Sequence, residues 1–561
     1  MPVIELGESI PPDTAHAVSV SLPTWKANVG YEEGEEWVVG RMTTGYPRFF
    51  VHRGIQAFAK DIVARHGRPG QQAMLFPTPR VAKRCLEFIR QRASPEIARQ
   101  VDTIDFTLDR SKELSPQLKK LSSTISAVLY PQEAFPIAKQ YWQHTGDGTS
   151  SRRAEFCHRL FQDEFLVPVA AVQTPPETAS RPFRGPKRYQ RPGSVDGERF
   201  GRNLELSMVE RAKSAIRRRI AGAMAHDVDL HNGPLPAMTD NTRGIKTLEE
   251  ADVYLYPAGM NAIFNAHRAL LKAREPAKSI NFGFPYVDTL KILEKPRRPR
   301  EQVEEWRALP RPLLRVPWKP LLTCPDLARI RKLADEYDFA VVIDETIGTF
   351  ANINVLPVAD IVVSSLTKIF SGDSNVMGGS AILNPESKYY RALKTAMEQD
   401  YEDTYWPEDV IFMERNSRDF ESRVERTNAN SEAICEVLRT HPVVKSIYYP
   451  KYNDSKPHYE AVRLPNGGYG GLLSIVFHHK AQAQAFFDAL PLAKGPSLGT
   501  NFTLCSPYAL LAHYQELDWA AQFGVDPDLV RVSVGLEETA ELENIFLGAL
   551  KAAEAVPVSS S

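Results

Sequence analysis

The middle of the chain alternates short apolar runs with stretches in which apolar residues recur at helical spacing. The apolar runs predict strands at 251–257, 340–344 and 359–365. The stretches between them predict helices at 258–273 and 327–339. Strands that are hydrophobic on both faces are typical of a parallel sheet covered by helices. The pattern therefore predicts an α/β large domain with a mainly parallel sheet, which we place at residues 196–395.

The pattern changes from residue 396 onward. Longer helical stretches appear at 420–441 and 541–555, and four glycines precede an apolar run that ends at Phe477. Glycines that precede a strand and no helix favour a turn over a phosphate-binding loop. We therefore predict a smaller C-terminal α+β domain over residues 396–561.

The first third of the chain is the hardest to assign. It ends near a proline-rich, basic stretch at 175–192 that is typical of a linker or an exposed loop. Residues 46–89 loosely resemble residues 200–271 in the order of their elements, and chance explains that likeness equally well. We predict that residues 1–195 form a long N-terminal extension, and its role stays open.

Composition excludes several classes of protein. Of 561 residues, 43% are hydrophobic and 24% are charged, which excludes disorder over the whole chain. Lys and Arg number 68 against 69 Asp and Glu, so no overall field attracts nucleic acid or an anionic membrane. Five cysteines without a Cys-x-x-Cys pair predict a reducing compartment and no metal site. With no signal sequence before Lys26 and no apolar run near the roughly 18 residues of a membrane span, we predict a cytoplasmic protein.

Candidate chemistry gathers where two of the predicted strands end. Asp344 ends one strand, and Lys368 closely follows another. Because ligands bind at the carboxyl ends of parallel strands, we expect this acid and this lysine to lie close together. Pyridoxal phosphate needs a Schiff-base lysine, a carboxylate for its ring nitrogen and donors for its phosphate. The sequence offers donors at Ser365, Thr367, Gly259 and Met260. The alternative is an exposed lysine beside capping hydroxyls.

Four ordered segments carry a family resemblance. They are VYLYPAGMNAIFNAHRALL, IDET, SSLTKIFSGDSNVMGG and LVRVSVGLEE. They resemble the signature segments of the Cys/Met-metabolism family of pyridoxal-phosphate enzymes, and within it those of the fungal-type cystathionine γ-synthases. The resemblance implies an aspartate-aminotransferase-like large domain. It also implies a homo-oligomer, a dimer or a tetramer, in which subunits share active sites.

The resemblance also implies roles for single residues. Lys368 would be the Schiff-base lysine and would move protons, and Ser497 and Arg531 would bind the substrate carboxylate. The cofactor would be held by Gly259, Met260, Tyr286, Asp344, Ser365 and Thr367. An aromatic-x-Arg segment of a neighbouring subunit would complete the phosphate site. Phe200-Gly201-Arg202 and Tyr46-Pro47-Arg48 compete for that role, and the order along the chain favours Arg202.

The reaction that the resemblance implies is γ-replacement on an O-acylated homoserine. Cysteine would be the nucleophile, and the product would be cystathionine, in transsulfuration and methionine biosynthesis. Sulfide, carbon or nitrogen nucleophiles would require the same motifs, so the sequence leaves these alternatives open, and it leaves the acyl group open too. A paralogue without the cofactor is an alternative from a different class.

One segment departs from the family pattern. Residues 295–320 contain six prolines and six arginines, and we expect no buried strand there. Lys319 stands where relatives place an asparagine that binds the cofactor's ring hydroxyl. Divergence toward another substrate, loss of activity and an error in the gene sequence each explain the change.

A nucleic-acid surface is a further alternative. Its basis is the Arg-rich stretch 181–219. Glu198, Glu205 and Glu210 interrupt the stretch, which favours a solvated helix face.

Overall fold

A computed structural model describes residues 4–47, 49–114, 118, 121, 123–171, 208–223, 240–275, 279–282, 288–289, 311–315 and 320–557. Within those ranges the helices and strands form three sheets with helices packed on them.

The N-terminal third contains an antiparallel sheet and the helices that cover it. Its elements are α1 Trp25–Glu33, α2 Glu36–Val39, α3 Arg53–His66, β1 Gln71–Phe76, α4 Pro79–Arg92, α5 Pro95–Ala98, β2 Asp102–Leu108, β3 Ile125–Pro131, α6 Phe135–Thr145, α7 Ser151–Gln162 and β4 Leu166–Pro168. The strand order is β1-β3-β2-β4, and each neighbouring pair is antiparallel. Helix α4 begins after Thr78, whose hydroxyl accepts from the Val81 N–H, with Pro79 in the first turn.

The segment before α3 packs on a distant part of the chain. Ile4 and Ile10 contact Phe502 and Leu504, and Trp25 lies in the core of the C-terminal part. The N-terminal third is therefore in contact with the other end of the molecule.

The middle of the chain forms a mixed sheet. Its elements are α8 Val209–Ile220, β5 Val253–Tyr256, α9 Gly259–Ala273, β6 Ser279–Phe282, β7 Arg311–Arg315, α10 Leu327–Glu336, β8 Val342–Asp344, β9 Ile361–Ser364, β10 Gly379–Leu383, α11 Tyr390–Asp400 and α12 Pro407–Asn416. The strand order is β5-β10-β9-β8-β7-β6. Strands β6 to β9 are parallel to one another, and β10 is antiparallel to both of its neighbours. The predicted α/β fold with a mainly parallel sheet is confirmed.

Residues 295–320, where the sequence predicts no buried strand, do contain a strand, Arg311–Arg315. Strand β7 lies between β6 and β8 in parallel register. Its sequence reads as a poor strand because Pro312 lacks a backbone donor. Pro312 is paired only with the β6 side, since pairing with β8 begins at Leu313. Strand β7 pairs with β6 on one side and β8 on the other, and the local sequence pattern does not reveal this pairing.

The C-terminal part forms a smaller sheet. Its elements are α13 Phe420–Arg439, β11 Val444–Tyr448, α14 Lys456–Glu460, β12 Leu472–Phe477, α15 Lys480–Ala489, β13 Ala493–Lys494, β14 Leu504–Pro507, α16 Tyr508–His513, α17 Leu517–Ala521, β15 Val530–Ser533 and α18 Thr539–Glu554. The strand order is β11-β12-β15-β14-β13, with only the β13-β14 pair parallel. The division of the chain at residues 195 and 396 stays a prediction.

Candidate active site

A cavity lies where β5, β8 and β9 of the middle sheet end. Gly259 and Met260 open helix α9 directly after β5, Asp344 ends β8, and the loop after β9 carries Thr367 and Lys368. These residues line the cavity together with Ser365. Parallel strands bring their carboxyl ends to one edge of a sheet, which is why residues so far apart in sequence meet here. The structure therefore brings the predicted acid, lysine and phosphate-site residues together.

Lys368 is a buried amine with two hydroxyl partners. Lys368 is 7% exposed. Nζ donates to the hydroxyl of Tyr46 at 3.0 Å and to Oγ of Ser497 at 3.1 Å. A buried amine is unfavourable unless it is hydrogen-bonded or used chemically. The alternative of an exposed lysine at a strand end is therefore excluded.

Thr346 connects Asp344 to the loop that follows β9. The Thr346 N–H donates to Oδ1 of Asp344 at 2.9 Å. The Thr346 hydroxyl accepts from the Ser365 N–H at 2.8 Å. This contact fixes the carboxylate of the buried Asp344 relative to the loop that carries the lysine. Thr346 follows Asp344 by two positions, yet no sequence pattern distinguishes it from its neighbours.

The start of helix α9 forms a close contact with the loop after β9. A Cβ atom at Gly259 would lie 2.5 Å from Cβ of Ser365, so only glycine permits this approach. The first N–H groups of a helix have no partner within the helix, and the helix dipole favours an anion there. The Thr367 hydroxyl accepts from the Gly378 N–H at 3.0 Å, which ties the loop after β9 to the residue before β10. The start of helix α9 therefore favours an anionic group at this end of the cavity.

Ser497 contacts both Lys368 and Arg531. Arg531, on β15, is buried, and its Nη2 donates to the carbonyl oxygen of Ser497 at 2.7 Å and to that of Pro496 at 3.2 Å. The guanidinium carbon lies 4.9 Å from the centre of the Tyr508 ring. In this structure Arg531 thus holds the main chain of the segment that presents the Ser497 hydroxyl to Lys368.

The N-terminal third forms the opposite wall of the cavity, which the sequence did not predict. Residues of this wall are Tyr46, His52, Gly146, Thr149, Ser151 and Arg152. Arg152 is buried, and its Nη1 lies 2.9 Å from Oδ1 of Asp409 in helix α12. The sequence identifies Tyr46 only as a candidate for a phosphate contact in a neighbouring subunit. Its type in an aromatic-x-Arg segment was the one available signal.

Asp147 joins this wall to helix α9. Its carboxylate accepts from Nδ2 of Asn261 at 2.6 Å, from the Tyr141 hydroxyl at 2.6 Å and from Nε of Arg84 at 3.1 Å. Burial, and then the Asp147 charge, raise the pKa of Tyr141, so its phenol stays protonated and donates. Gly146 has a φ of +65°, and a Cβ there would lie 2.7 Å from the Asn261 nitrogen. The wall is therefore fixed to the first turn of helix α9.

Some predicted residues lie outside the described ranges. They are Tyr286, Arg202, Arg48 and Lys319. The choice between the two aromatic-x-Arg segments as a phosphate clamp therefore stays a prediction. The described residues include no group of His, Cys, Asp and Glu side chains that could hold a metal ion. Over the same ranges, no helix has the length and apolar character that crossing a bilayer demands.

The described end of the Arg-rich stretch is paired with acids. In helix α8, Nε of Arg218 lies 2.9 Å from Glu250, and Nη2 of the buried Arg219 lies 2.8 Å from Glu414. The sequence predicts a solvated helix face here, and the burial of Arg219 corrects that prediction. The burial follows from the packing of α8 against α12, which carries Glu414.

A buried lysine, a buried carboxylate at the end of a parallel strand and a helix N-terminus share one cavity. This donor set fits pyridoxal phosphate, which carries an aldehyde, a basic ring nitrogen and a phosphate. The arrangement is that of a pyridoxal-phosphate-dependent enzyme.

Comparisons with known proteins agree with this class. Residues 54–150 match the N-terminal domain of fungal trans-sulfuration enzymes, and residues 313–551 match the Cys/Met metabolism PLP-dependent enzymes. The chain is 58% identical to the cystathionine γ-synthase of Neurospora crassa over 99% of both chains. It is 38% identical to the cystathionine γ-synthase of Saccharomyces cerevisiae over 98% of this chain and 99% of that one. The chain therefore belongs to the Cys/Met metabolism family of pyridoxal-phosphate-dependent enzymes.

The chain is also similar to a solved structure. This is the crystal structure of cystathionine gamma synthase from Xanthomonas oryzae pv. oryzae in complex with aminoacrylate and cysteine. The TM-score is 0.47 at 21% identity, and the match covers 61% of this chain and 98% of that chain.

Proposed function

We propose that the protein catalyses pyridoxal-phosphate-dependent γ-replacement on an O-acylhomoserine, with cysteine as nucleophile and cystathionine as product. The observation that carries the proposal is the cavity that joins Lys368 and Asp344 to the start of helix α9. The likeness to the Neurospora cystathionine γ-synthase over 99% of both chains supports the choice of reaction. The reaction belongs to transsulfuration and methionine biosynthesis.

The proposed cofactor contacts follow from the geometry of the cavity. Lys368 would attach to the cofactor aldehyde through Nζ, and Asp344 would keep the ring nitrogen protonated. Backbone N–H groups at Gly259 and Met260 would bind the phosphate, together with the Ser365 and Thr367 side chains. Tyr286 would stack on the cofactor ring, and Arg202 of a neighbouring subunit would complete the phosphate site. The last two roles rest on the family resemblance.

The protein's own groups then move protons and hold the substrate. When bound, the cofactor accepts the electron pair that is released at the substrate α-carbon. Nζ of Lys368, once free, takes the α-proton as a general base. Arg531 would bind the substrate α-carboxylate with help from Ser497, which requires the guanidinium to exchange its contact with the Ser497 carbonyl for the carboxylate.

We further propose that the protein works as a cytoplasmic homo-oligomer, a dimer or a tetramer, with shared active sites. All five cysteines are unpaired and buried, which agrees with a reducing compartment. The three-part organisation with divisions near residues 195 and 396 belongs to the same proposal. Light scattering of the purified protein measures the number of subunits.

The test is incubation of the purified protein and pyridoxal phosphate with O-acetyl- or O-succinyl-homoserine and one nucleophile at a time. Mass spectrometry then identifies the product. Cystathionine from cysteine supports the proposal, and a product from sulfide or from a carbon or nitrogen nucleophile alone would replace it. Absence of the visible absorbance of the bound cofactor would favour a paralogue without the cofactor.

The Lys368→Ala variant tests whether this lysine binds the cofactor. We expect the variant to lose both the visible absorbance and turnover, because the amine that binds the aldehyde is gone. Lys332→Ala, in helix α10, is the matched control, since Lys332 lies on an exposed helix face away from the cavity. A Lys368→Ala protein that retained absorbance and turnover would contradict the assignment.

A further inference from the structure

Tyr46, which lies in the N-terminal third, reaches Nζ of Lys368. We propose that Tyr46 is a positioning residue that binds this amine in both of its charge states, sets its basicity, and does so from the same chain. The inference rests on the proposed function only in taking Lys368 as the lysine that binds the cofactor. The proposal concerns the contact with Nζ and does not depend on which aromatic-x-Arg segment binds the phosphate.

Both the hydroxyl and the ring of Tyr46 contact Nζ of Lys368. The distance from Nζ to the Tyr46 hydroxyl is 3.0 Å, and the distance to the centre of the ring is 4.5 Å. The first distance lies within the range of a hydrogen bond, and the second lies within the range of a cation–π contact. The ring attracts only the charged ammonium, whereas the hydroxyl forms a directed hydrogen bond with Nζ.

A phenol suits a lysine that changes its charge. A hydroxyl accepts from an ammonium and donates to the lone pair of a neutral amine, so it remains bonded in both states. Ser497 offers a second hydroxyl at 3.1 Å. Hydrogen bonds to charged groups are about twice as strong as those between neutral groups. The Tyr46 hydroxyl therefore stabilises the ammonium more than the amine and raises the basicity of Nζ.

A turn fixes Tyr46 at the cavity. Its carbonyl oxygen accepts from the Phe49 N–H at 2.9 Å and from the Phe50 N–H at 3.0 Å. A Cβ at Gly45 would lie 2.4 Å from Cβ of Phe50, so the turn is tightly closed. The Tyr46 and Phe49 rings also pack together at 5.9 Å. A closed, hydrogen-bonded turn therefore holds the Tyr46 side chain in the cavity.

The same chain anchors the segment that precedes this turn. The Val18 N–H donates to the Ser374 carbonyl at 2.8 Å, six residues after Lys368 in the chain. The Leu22 N–H donates to the Lys494 carbonyl at 2.9 Å, close to Ser497. The Thr44 hydroxyl donates to the Ala17 carbonyl at 3.2 Å and so ties the turn to the anchored segment. These contacts hold Tyr46 over the lysine of its own chain.

The first test measures the rate at which the protein without cofactor captures pyridoxal phosphate, followed by visible absorbance over a range of pH. Capture requires the neutral amine, so the rate falls as Nζ gains a proton. Tyr46→Phe keeps the ring and removes only the hydroxyl. We expect the inflection to move to lower pH by about one unit, because the ammonium loses a charged hydrogen bond.

Tyr390→Phe is the matched control. Its hydroxyl bonds Asp252 at 2.6 Å, outside the cavity, so we expect its inflection to equal that of the unchanged protein. Ser497→Ala should move the inflection in the same direction as Tyr46→Phe. An inflection that Tyr46→Phe leaves unmoved, or moves to higher pH, would overturn the proposal. Capture needs no substrate, so a failure to form cystathionine leaves this readout intact.

A second test decides which chain supplies Tyr46. Differently tagged Lys368→Ala and Tyr46→Phe chains are co-expressed, and mixed oligomers are isolated through both tags. In the mixed oligomers only the Tyr46→Phe chain still carries Lys368. If Tyr46 contacts the lysine of its own chain, the capture rate should keep the inflection of the Tyr46→Phe protein. An inflection restored to that of the unchanged protein would show that Tyr46 is supplied by the partner. If the protein is a monomer, exchange between chains is excluded, and the same-chain contact stands.

Discussion

Replacement of Arg243 by methionine should strongly destabilise the middle sheet. Arg243 is 1% exposed and forms two hydrogen bonds with Glu345, from Nη1 at 2.8 Å and from Nη2 at 2.6 Å. Its Nε donates to the Ile220 carbonyl at 3.0 Å, and its guanidinium carbon lies 4.6 Å from the centre of the Phe350 ring. Glu345 directly follows Asp344, so the pair supports the strand that carries the candidate acid.

The size of the effect follows from burial. Glu345 is also 1% exposed, so Arg243→Met leaves a carboxylate without its partner in the interior. Breaking a buried ion pair on one side costs about 3–5 kcal/mol. Replacing both partners with uncharged side chains removes the isolated charge. The double variant Arg243→Met with Glu345→Gln should therefore recover roughly 2 kcal/mol of the loss.

Urea unfolding, followed by circular dichroism at one fixed cofactor concentration, measures these differences in the free energy of unfolding. All variants are fitted with one common dependence of that free energy on urea concentration. Arg426→Met is the matched control, because Arg426 and Glu538 form a pair at 2.7 Å on the surface, where they are 45% and 79% exposed. Its cost should stay below about 1 kcal/mol. A buried variant that costs no more than this control would refute the reasoning, as would a double variant less stable than Arg243→Met.

Three further predictions concern single residues of the site and the core. Asp147→Asn should weaken binding of pyridoxal phosphate in an absorbance titration, because Asn261 loses a charged partner at the start of helix α9; unchanged affinity would contradict a link between the wall and the phosphate end. Burial raises the pKa of Cys157 to about 11, so its thiol should resist a disulfide reagent until urea unfolds the chain, and rapid labelling at pH 8 would argue against this packing. Arg531→Ala should raise KM for the amino-acid substrate by roughly tenfold or more, through loss of a charged hydrogen bond, while the cofactor absorbance persists; a change in kcat alone would exclude a role in substrate binding.

The sequence predicted the middle of the fold well, because apolar periodicity records which faces are buried. The helix that begins at Gly259 and the strands that end at Asp344 and Ser364 lie close to their predicted bounds. The meeting of Asp344 and Lys368 followed from one rule on parallel sheets. Strand β7 escaped prediction because its stability comes from neighbours on both sides, and Pro312 hides it locally.

Sequence alone determined the chemical types at the site: a lysine after one strand, an acid after another and a glycine at a helix start. It also determined the family, since ordered motifs carry that information. Only the tertiary structure decided what surrounds the lysine. Tyr46 and Lys368 are 322 residues apart, and Asp147 and Asn261 are 114 apart. Contacts over such separations arise from the docking of whole elements, which leaves no local period in the sequence.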